Sequence, residues 1–358
     1  MKNITYLIGA GASVQAIPVV SAMVPRMIKF RDFVYHSSKG NETKKEALTN
    51  FYEDLSDLIQ NTENHTSVDA YMRELALSDD GPKFMRMKNA LICYLFFEQL
   101  KKPDDFMIPP EKSPNTIDDV ENVSAIMKDI IRTQDRRYNT FLGSLLDDSL
   151  KALPNNVNIL SWNYDMQFEL AYSRMCRTNL QDAQKKLQIF PSKSLSPLLD
   201  SSTLIKLNGT AGLAQKIRGD GFENIFDVVG DEFEHGLGYM LNFFEKSRHR
   251  YFDYDPAFYF AWEKEEVAKQ ARNLASSIMS KTNILVIIGY SFPDFNRLID
   301  REVLSKSNLE KIYIQVPESD YNIVSQNFLD RYPNGRGKVE HQGGLQKFYL
   351  PPEIDERD

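Results

Sequence analysis

Gly9, Ala10, Gly11 and Ser13, in the stretch "YLIGAGASV" (residues 6–14), are the first residues of the chain whose types and spacing could do chemistry. Glycines placed so allow backbone N–H groups to approach a pyrophosphate at the positive end of a following helix. The dinucleotide fingerprint is incomplete. Val14 stands at the third glycine position, and Asp32, at about the right distance for a ribose-binding acid, falls in a helical pattern. The same turn serves equally as a tight strand-to-helix corner with no ligand. Three later stretches end in polar residues: "SWNYD" with Asn163 and Asp165, "LIKLNG" with Asn208 and Gly209, and "VIIGYSFPD" with Gly289, Ser291 and Asp294. Taken singly, Asn163 and Asp165 are also good turn formers, Asp294 can cap a helix, and Pro293 suits a first helical turn.

The elements that must position these tips are short apolar runs. Ile4 to Ile8 is too short for a helix and runs directly into the glycines, the pattern of a strand in a parallel sheet. "VNILSWNYD", "TLIKLNG", "NILVIIGYSFPD" and "KIYIQVP" repeat it, with helical patterns between them. In open α/β sheets the carboxyl ends of strands line the ligand crevice, so the polar tips should converge although they are far apart in sequence.

After the glycines a helix is expected around Met23, Met27, Ile28, Phe30 and Phe33, capped by Ser21. "FYEDLSDLIQ", "VDAYMRELAL", "ALICYLFFEQL" and "TFLGSLLDDSLKAL" have amphipathic periodicity and read as a helical insertion over residues 37–153, interrupted by the loop "KKPDDFMIPPEKSP". The acidic, aromatic and glycine-bearing segment 216–255 reads as a lid or small lobe, and "AFYFAWEKEEVAKQARNLASSIMSKT" as a helix leading into the Ile284 strand. Residues 1–36 and 154–350 would then form the sheet domain.

Composition narrows the class. The 358 residues carry 43 basic and 50 acidic side chains, a net charge of −7 that supplies no broad cationic field for nucleic acid. Cys93 and Cys176, both expected to be buried, are too few for a disulfide framework or a four-cysteine zinc site, so no metal is expected. No run reaches the roughly 18 apolar residues that span a bilayer. The expectation is a cytoplasmic protein with no direct nucleic-acid or membrane partner.

In order, "GAGAS", "SWNYDMQFE", "LIKLNGTAG" and "VIIGYSFPD" resemble the motifs of SIR2-like (sirtuin-fold) proteins, of the bacterial NAD-hydrolysing type that acts in antiphage defence. The resemblance touches residues 4–21 and 157–317 and skips the helical insertion. It implies an α/β fold, a Rossmann-like parallel sheet with a large helical insertion, and NAD as substrate. Gly9, Ala10, Gly11 and Ser13 match the diphosphate turn. Asn163 and Asp165 match residues facing the nicotinamide ribose and carboxamide, and Gly289 and Ser291 match the pair bordering the adenosine half. Where such proteins commonly show Lys-Leu-His-Gly, this chain has Lys206, Leu207, Asn208 and Gly209, with Lys206 expected to face solvent. An amide accepts no proton at accessible pH.

The expected activity is therefore NAD+ glycohydrolysis to nicotinamide and ADP-ribose by a regulated effector that depletes NAD, working as a homo-oligomer or with a partner defence protein. The alternative is a catalytically weakened module that binds NAD or an ADP-ribose-type nucleotide and signals to a partner without turnover. Protein deacetylation fits poorly, because true sirtuins carry a four-cysteine zinc ribbon and the histidine base. A Rossmann dehydrogenase lacks its third glycine and strand-end acid here. His235, before Gly236, lacks a preceding strand, and His36, His65, His249 and His341 stand in polar stretches.

Overall fold

The computed structural model describes residues 1–38, 45–100, 134–146, 151–192, 202–217, 221–225, 236–248 and 254–354. The first apolar run forms strand β1 (Ile4–Ile8), buried along its whole length. Such a strand needs partners on both edges. It finds them in β2 (Val157–Ser161) and β8 (Ile284–Ile288), both parallel to it. On the β2 side follow β4 (Leu204–Lys206) and β3 (Ile189–Phe190), and on the β8 side β9 (Lys311–Gln315) and β10 (Val339–Gln342). The result is a seven-stranded parallel sheet of order β10-β9-β8-β1-β2-β4-β3. The protein is an α/β protein with a Rossmann-like sheet, and its strand order reverses at β1.

Two compact units divide the chain. The first, Met1–Val14, Asp135–Thr210 and Ala257–Asp358, holds this sheet. Its core joins Ile4, Tyr6, Ile159, Val286 and Tyr313 to Tyr138, Phe141, Leu142 and Leu145 of helix α5 (Arg136–Leu145). Tyr6 and Phe141 meet edge-on with ring centroids 4.8 Å apart. The insertion expected over 37–153 is thus drawn differently at its end: α5 packs in the core of the sheet-bearing unit. Periodicity says that a helix hides one face, but not against which neighbour. Helices α6 (Gln167–Cys176) and α7 (Leu180–Lys186) follow β2, and α9 (Glu266–Lys281) precedes β8. Helix α9 starts later than expected, because Ala257 and Phe258 end a strand and Phe260 and Trp262 stack 4.7 Å apart ahead of the helix. Helices α10 (Arg297–Leu304) and α11 (Glu318–Arg331) flank β9 in sequence.

The second unit, Gln15–Gln134 and Ala211–Pro256, is mainly helical. It contains α1 (Val20–Ser38), α2 (Lys45–Thr62), α3 (Val68–Leu77), α4 (Gly81–Leu100) and α8 (Gly236–Ser247). Phe30 stacks on Phe97 at 4.4 Å, and Phe51 meets Phe244 edge-on at 5.1 Å. Buried Asp54 is held by Arg86 and Arg248, at 2.6 and 2.8 Å. Ser21 lies inside α1 and does not cap it, since the helix already begins at Val20. A small sheet of order β6-β5-β7 joins β5 (Gly209–Lys216), β6 (Phe222–Asn224) and β7 (Tyr254–Phe258), and the unit boundary passes through β5 and β7. Of the expected lid at 216–255, only β6, α8, the start of β7 and a few flanking residues are described. The loop "KKPDDFMIPPEKSP" lies outside the described residues.

Candidate functional site

Parallel register sets the site. Ile8 is level with Ser161 on one side and Ile288 on the other, and Ser161 is level with Lys206. The loops that begin at Gly9, Trp162, Leu207 and Gly289 therefore leave the sheet in one row, at the carboxyl ends of the strands and at the switch point of the topology.

The glycine turn is a single 3-10 turn, Ala10–Ser13, and the next helix begins only at Val20. Its glycines answer first to the neighbouring backbone. A Cβ on Gly9 would lie 2.5 Å from Tyr290 Cα, and one on Gly11 would lie 2.9 Å from Gly289 Cα. Gly289 itself has a φ of +61°, and its Cβ would meet Ala12 N at 2.4 Å. Gly9 N–H donates to Ile288 O at 3.0 Å, and Gly11 N–H to Gly289 O at 2.9 Å. The β1 and β8 loops are thus locked backbone to backbone.

Ser13 is buried at the end of this turn. Its Oγ donates to Asp165 Oδ2 at 2.5 Å and accepts from Asn163 Nδ2 at 3.1 Å, while Asn163 Nδ2 also reaches Gly9 O at 3.0 Å. With the one hydroxyl hydrogen of Ser13 given to Asp165, the Tyr138 hydroxyl 2.8 Å away donates to Ser13. Burial pushes the Asp165 carboxyl up from its ordinary range; Lys206 and the hydrogen bonds from Ser13, Gln167 and Asn163 pull the other way. Burial likewise raises Tyr138. Lys206, expected to face solvent, is 1% exposed. Its Nζ pairs with Glu169 Oε1 at 2.7 Å and reaches Asp165 O at 2.5 Å. All three residues of β4 are buried, so the enclosed ammonium must find a carboxylate. Burial raises Glu169 too, against the pull of Lys206.

Asn208 is buried, with Nδ2 3.4 Å from the Tyr164 hydroxyl and Oδ1 lacking a hydrogen-bond partner in the described structure. Tyr164, half-buried, stacks on Phe258 at 4.0 Å. Gly209 has a φ of +69°, and a Cβ there would be 2.0 Å from Ala257 O, so glycine is required by the backbone alone.

In the β8 loop Phe292 adopts a φ of +54°, held by Arg331, which donates to Phe292 O at 2.8 Å. Ser291 is exposed, its carbonyl accepting from Asn327, and Asp294 pairs with Arg331 at 3.1 Å. Trp162 stacks on Tyr290 at 5.9 Å. The Tyr290 hydroxyl accepts from Asn296 at 2.9 Å and lies 2.9 and 3.0 Å from the two Asp300 oxygens. Burial pushes Asp300 up to about 7, although hydrogen bonds from Tyr290 and Trp162 and the charge of Arg331 oppose it. A free aspartate titrates near 3.8, so from about pH 4 to 7 the unfolded chain releases a proton that the folded chain keeps. Stability from this group is therefore full below that window and falls as pH rises through it, by a few kcal/mol at most on the scale of ~1.4 kcal/mol per unit. Asp300→Asn should flatten the decline between pH 5 and 8 in urea melts. Parallel declines in variant and parent would refute this.

The structure brings Ser13, Asn163 and Asp165 into one hydrogen-bonded group, with Gly9 as a direct partner, and sets Gly11 and Gly289 against each other. Asn208 and Gly209 stand at the end of the adjacent strand, and no described bond links Ser291 to the group. Tyr138 joins this group from a position that no sequence motif marks, and Glu169 joins it through Lys206. The thiols differ: Cys93 is buried and Cys176 half-buried. His65 bonds Asn61 O and Glu74, and His341 bonds Val316 O and Glu318. His235 and His249 lie outside the described residues. Among the described residues no cluster of three or more His, Cys, Asp or Glu is arranged to hold a metal ion, and no helix is long and apolar enough to cross a membrane.

No family model and no curated relative matches the chain. Solved structures do, two of Sir2 among them. One is Sir2 in complex with an inhibitor, 2'-O-acetyl-ADP-ribose and a deacetylated p53 peptide: it is 11% identical, with 93% of this chain and 94% of that chain covered and a TM-score of 0.31. The other is Sir2 bound to acetylated peptide, also 11% identical, with the same coverage and a TM-score of 0.30. A superposition that loose carries no residue correspondences.

Proposed function

We propose that the row of strand-end loops binds NAD and cleaves its N-glycosidic bond, releasing nicotinamide and ADP-ribose. The observation that carries this is the meeting of Ser13, Asn163 and Asp165 at the switch point of a parallel sheet, where such sheets take ligands. The ordered resemblance of four motifs names the ligand. The bond joins ribose to a cationic pyridinium. It breaks with its electron pair going to nicotinamide, which leaves neutral, while the water oxygen bonds C1′ and its proton passes to solvent. No general acid is needed, and the oxocarbenium-like transition state asks for orientation and dipoles near the sugar.

In this reading Asn163 and Asn208 orient the ribose and the water, and Asn208 Oδ1, a buried acceptor without a described partner, fits a hydroxyl or amide donor of the substrate. Asp165 acts through Ser13 and Asn163, because its carboxyl is enclosed and engaged by both. Gly9, Ala10, Gly11 and Ser13 form the diphosphate turn, and Gly209, Gly289 and Ser291 complete the cofactor side. The reading extends to a cytoplasmic effector, oligomeric or partnered, that depletes NAD in antiphage defence; that extension rests on the resemblance alone.

Purified protein, alone and with the products of neighbouring genes, should release nicotinamide from NAD, and Asn163→Ala should lower kcat by about 10²-fold or more. Absence of nicotinamide under every condition would sink the proposal. A second reading, binding without turnover, is favoured by Asn208 standing where a base is expected. A missing general base typically costs about 10²–10⁴-fold in rate. A large gain of turnover in Asn208→His identifies a weakened enzyme; tight calorimetric binding of NAD with no turnover in either form identifies a sensor.

A further inference from the structure

The 3-10 turn leaves a problem behind it. The carbonyls of Gly11 and Ala12 point out of a turn that no helix continues, because α1 starts only at Val20. Orphan carbonyls at a buried turn must be satisfied or the turn will not hold its shape. Arg137 supplies the donor: its Nη2 reaches Gly11 O at 3.2 Å and Ala12 O at 3.0 Å.

The guanidinium is itself built in. Asp135 accepts from its Nε at 2.9 Å and from its Nη2 at 2.5 Å, the Phe348 ring lies 5.3 Å from its central carbon, and Leu345 O is 3.4 Å from Nη1. Asp135 is fixed in turn. Its carboxylate caps α5 through Arg137 N at 3.0 Å, and its own N–H donates to Gln167 Oε1 at 2.8 Å. The next residue, Tyr138, bonds Ser13. Two consecutive residues of α5 therefore grip three consecutive residues of the turn.

We propose that Arg137, aligned by Asp135, is a positioning residue that sets the conformation of Gly11–Ser13, and through Ser13 the orientation of Asn163, in the state that meets the nucleotide. The part concerning the nucleotide rests on the NAD reading above. Because the cation is paired with Asp135, the effect is geometric and not a long-range attraction for phosphate. Lysine cannot replace it. A point charge lacks the fork that spans two carbonyls and a carboxylate at once.

The test has two independent readouts on Arg137→Gln and Arg137→Lys. First, amide hydrogen exchange of residues 9–13 in the free protein should speed up by about tenfold or more in both variants, while β8 and α11 keep their protection. Unchanged exchange in the turn, or equal loosening everywhere, overturns the proposal. Second, NAD affinity should fall by about tenfold or more in both, with the same salt dependence as the parent. A parent that binds NAD and variants that bind it equally well would overturn the proposal while leaving the NAD reading intact. A parent that does not bind NAD defeats the reading, and the exchange experiment then decides the role of Arg137 by itself. If Arg137→Gln does not fold, Arg137→Lys, which keeps the charge opposite Asp135, carries both readouts. Full rescue by lysine would also overturn the proposal.

Discussion

Lys206→Met should destabilise the protein by about 3–5 kcal/mol, the cost of leaving a buried carboxylate without its counter-ion. Lys206 and Glu169 are both enclosed and 2.7 Å apart, and the same ammonium reaches the Asp165 carbonyl. Removing it strands Glu169 and frees the "NYD" loop from β4 at one stroke. The double variant Lys206→Met with Glu169→Leu should recover most of the loss, since apolar side chains of similar size often replace a buried pair without cost. The sign with pH also follows. Burial already pushes Glu169 up, and without Lys206 it is pushed further, so the single variant should suffer more at pH 8 than at pH 5, where the orphaned group takes a proton. Urea melts of the two variants at both pH values are the measurement. A single-variant loss below about 1 kcal/mol, or a double variant no better than the single, would contradict the account.

Gly289→Ala should be comparably severe, at about 3–5 kcal/mol from two sources. A side chain at a φ of +61° costs about 1–2 kcal/mol on conformation alone. Its Cβ would also sit 2.4 Å from Ala12 N and 2.5 Å from the Gly11 carbonyl carbon, backbone atoms of a turn that cannot withdraw without losing the Gly11 N–H···O bond to Gly289. Gly221→Ala is the control: among the described residues nothing lies within 4 Å of a Cβ there, and the change should stay within about 0.5 kcal/mol. Thermal melts that rank the two substitutions equally would show that the β1 and β8 loops are not locked together.

Much of the sheet is legible in the residues themselves. The runs at 4–8, 157–161, 284–288 and 311–315 are apolar, short and bounded by Gly, Asn or Pro, which leaves a buried parallel strand as the economical solution. β10 escapes such reading because "VEHQ" is a half-exposed edge strand with no apolar run, and β5 because "GTAGLAQK" is made of small residues whose pairing is decided by their neighbours. The aromatic stretch after Pro256 misleads in the opposite direction, its ring spacing imitating a helix.

Site residues on strand ends could be named because the strands that carry them are visible. Tyr138, Arg137 and Asp135 could not be. Tyr138 and Arg137 act across more than a hundred residues of sequence, Asp135 acts through Arg137, and a polar contact of that span leaves no local period. Lys206 shows the complementary failure, since a lysine at a strand end reads as surface until packing over the face of the sheet encloses it.

The central position of β1 also governs how the protein comes into being. Ile4 bonds to strands that contain residues 157 and 284, so β1 is synthesised long before its second neighbour. Such distant partners make folding slow and leave an apolar ribbon with open edges in every nascent or truncated form. A chain ending before Ile284 would lack one flank of its middle strand, and it should aggregate and not form a smaller working sheet.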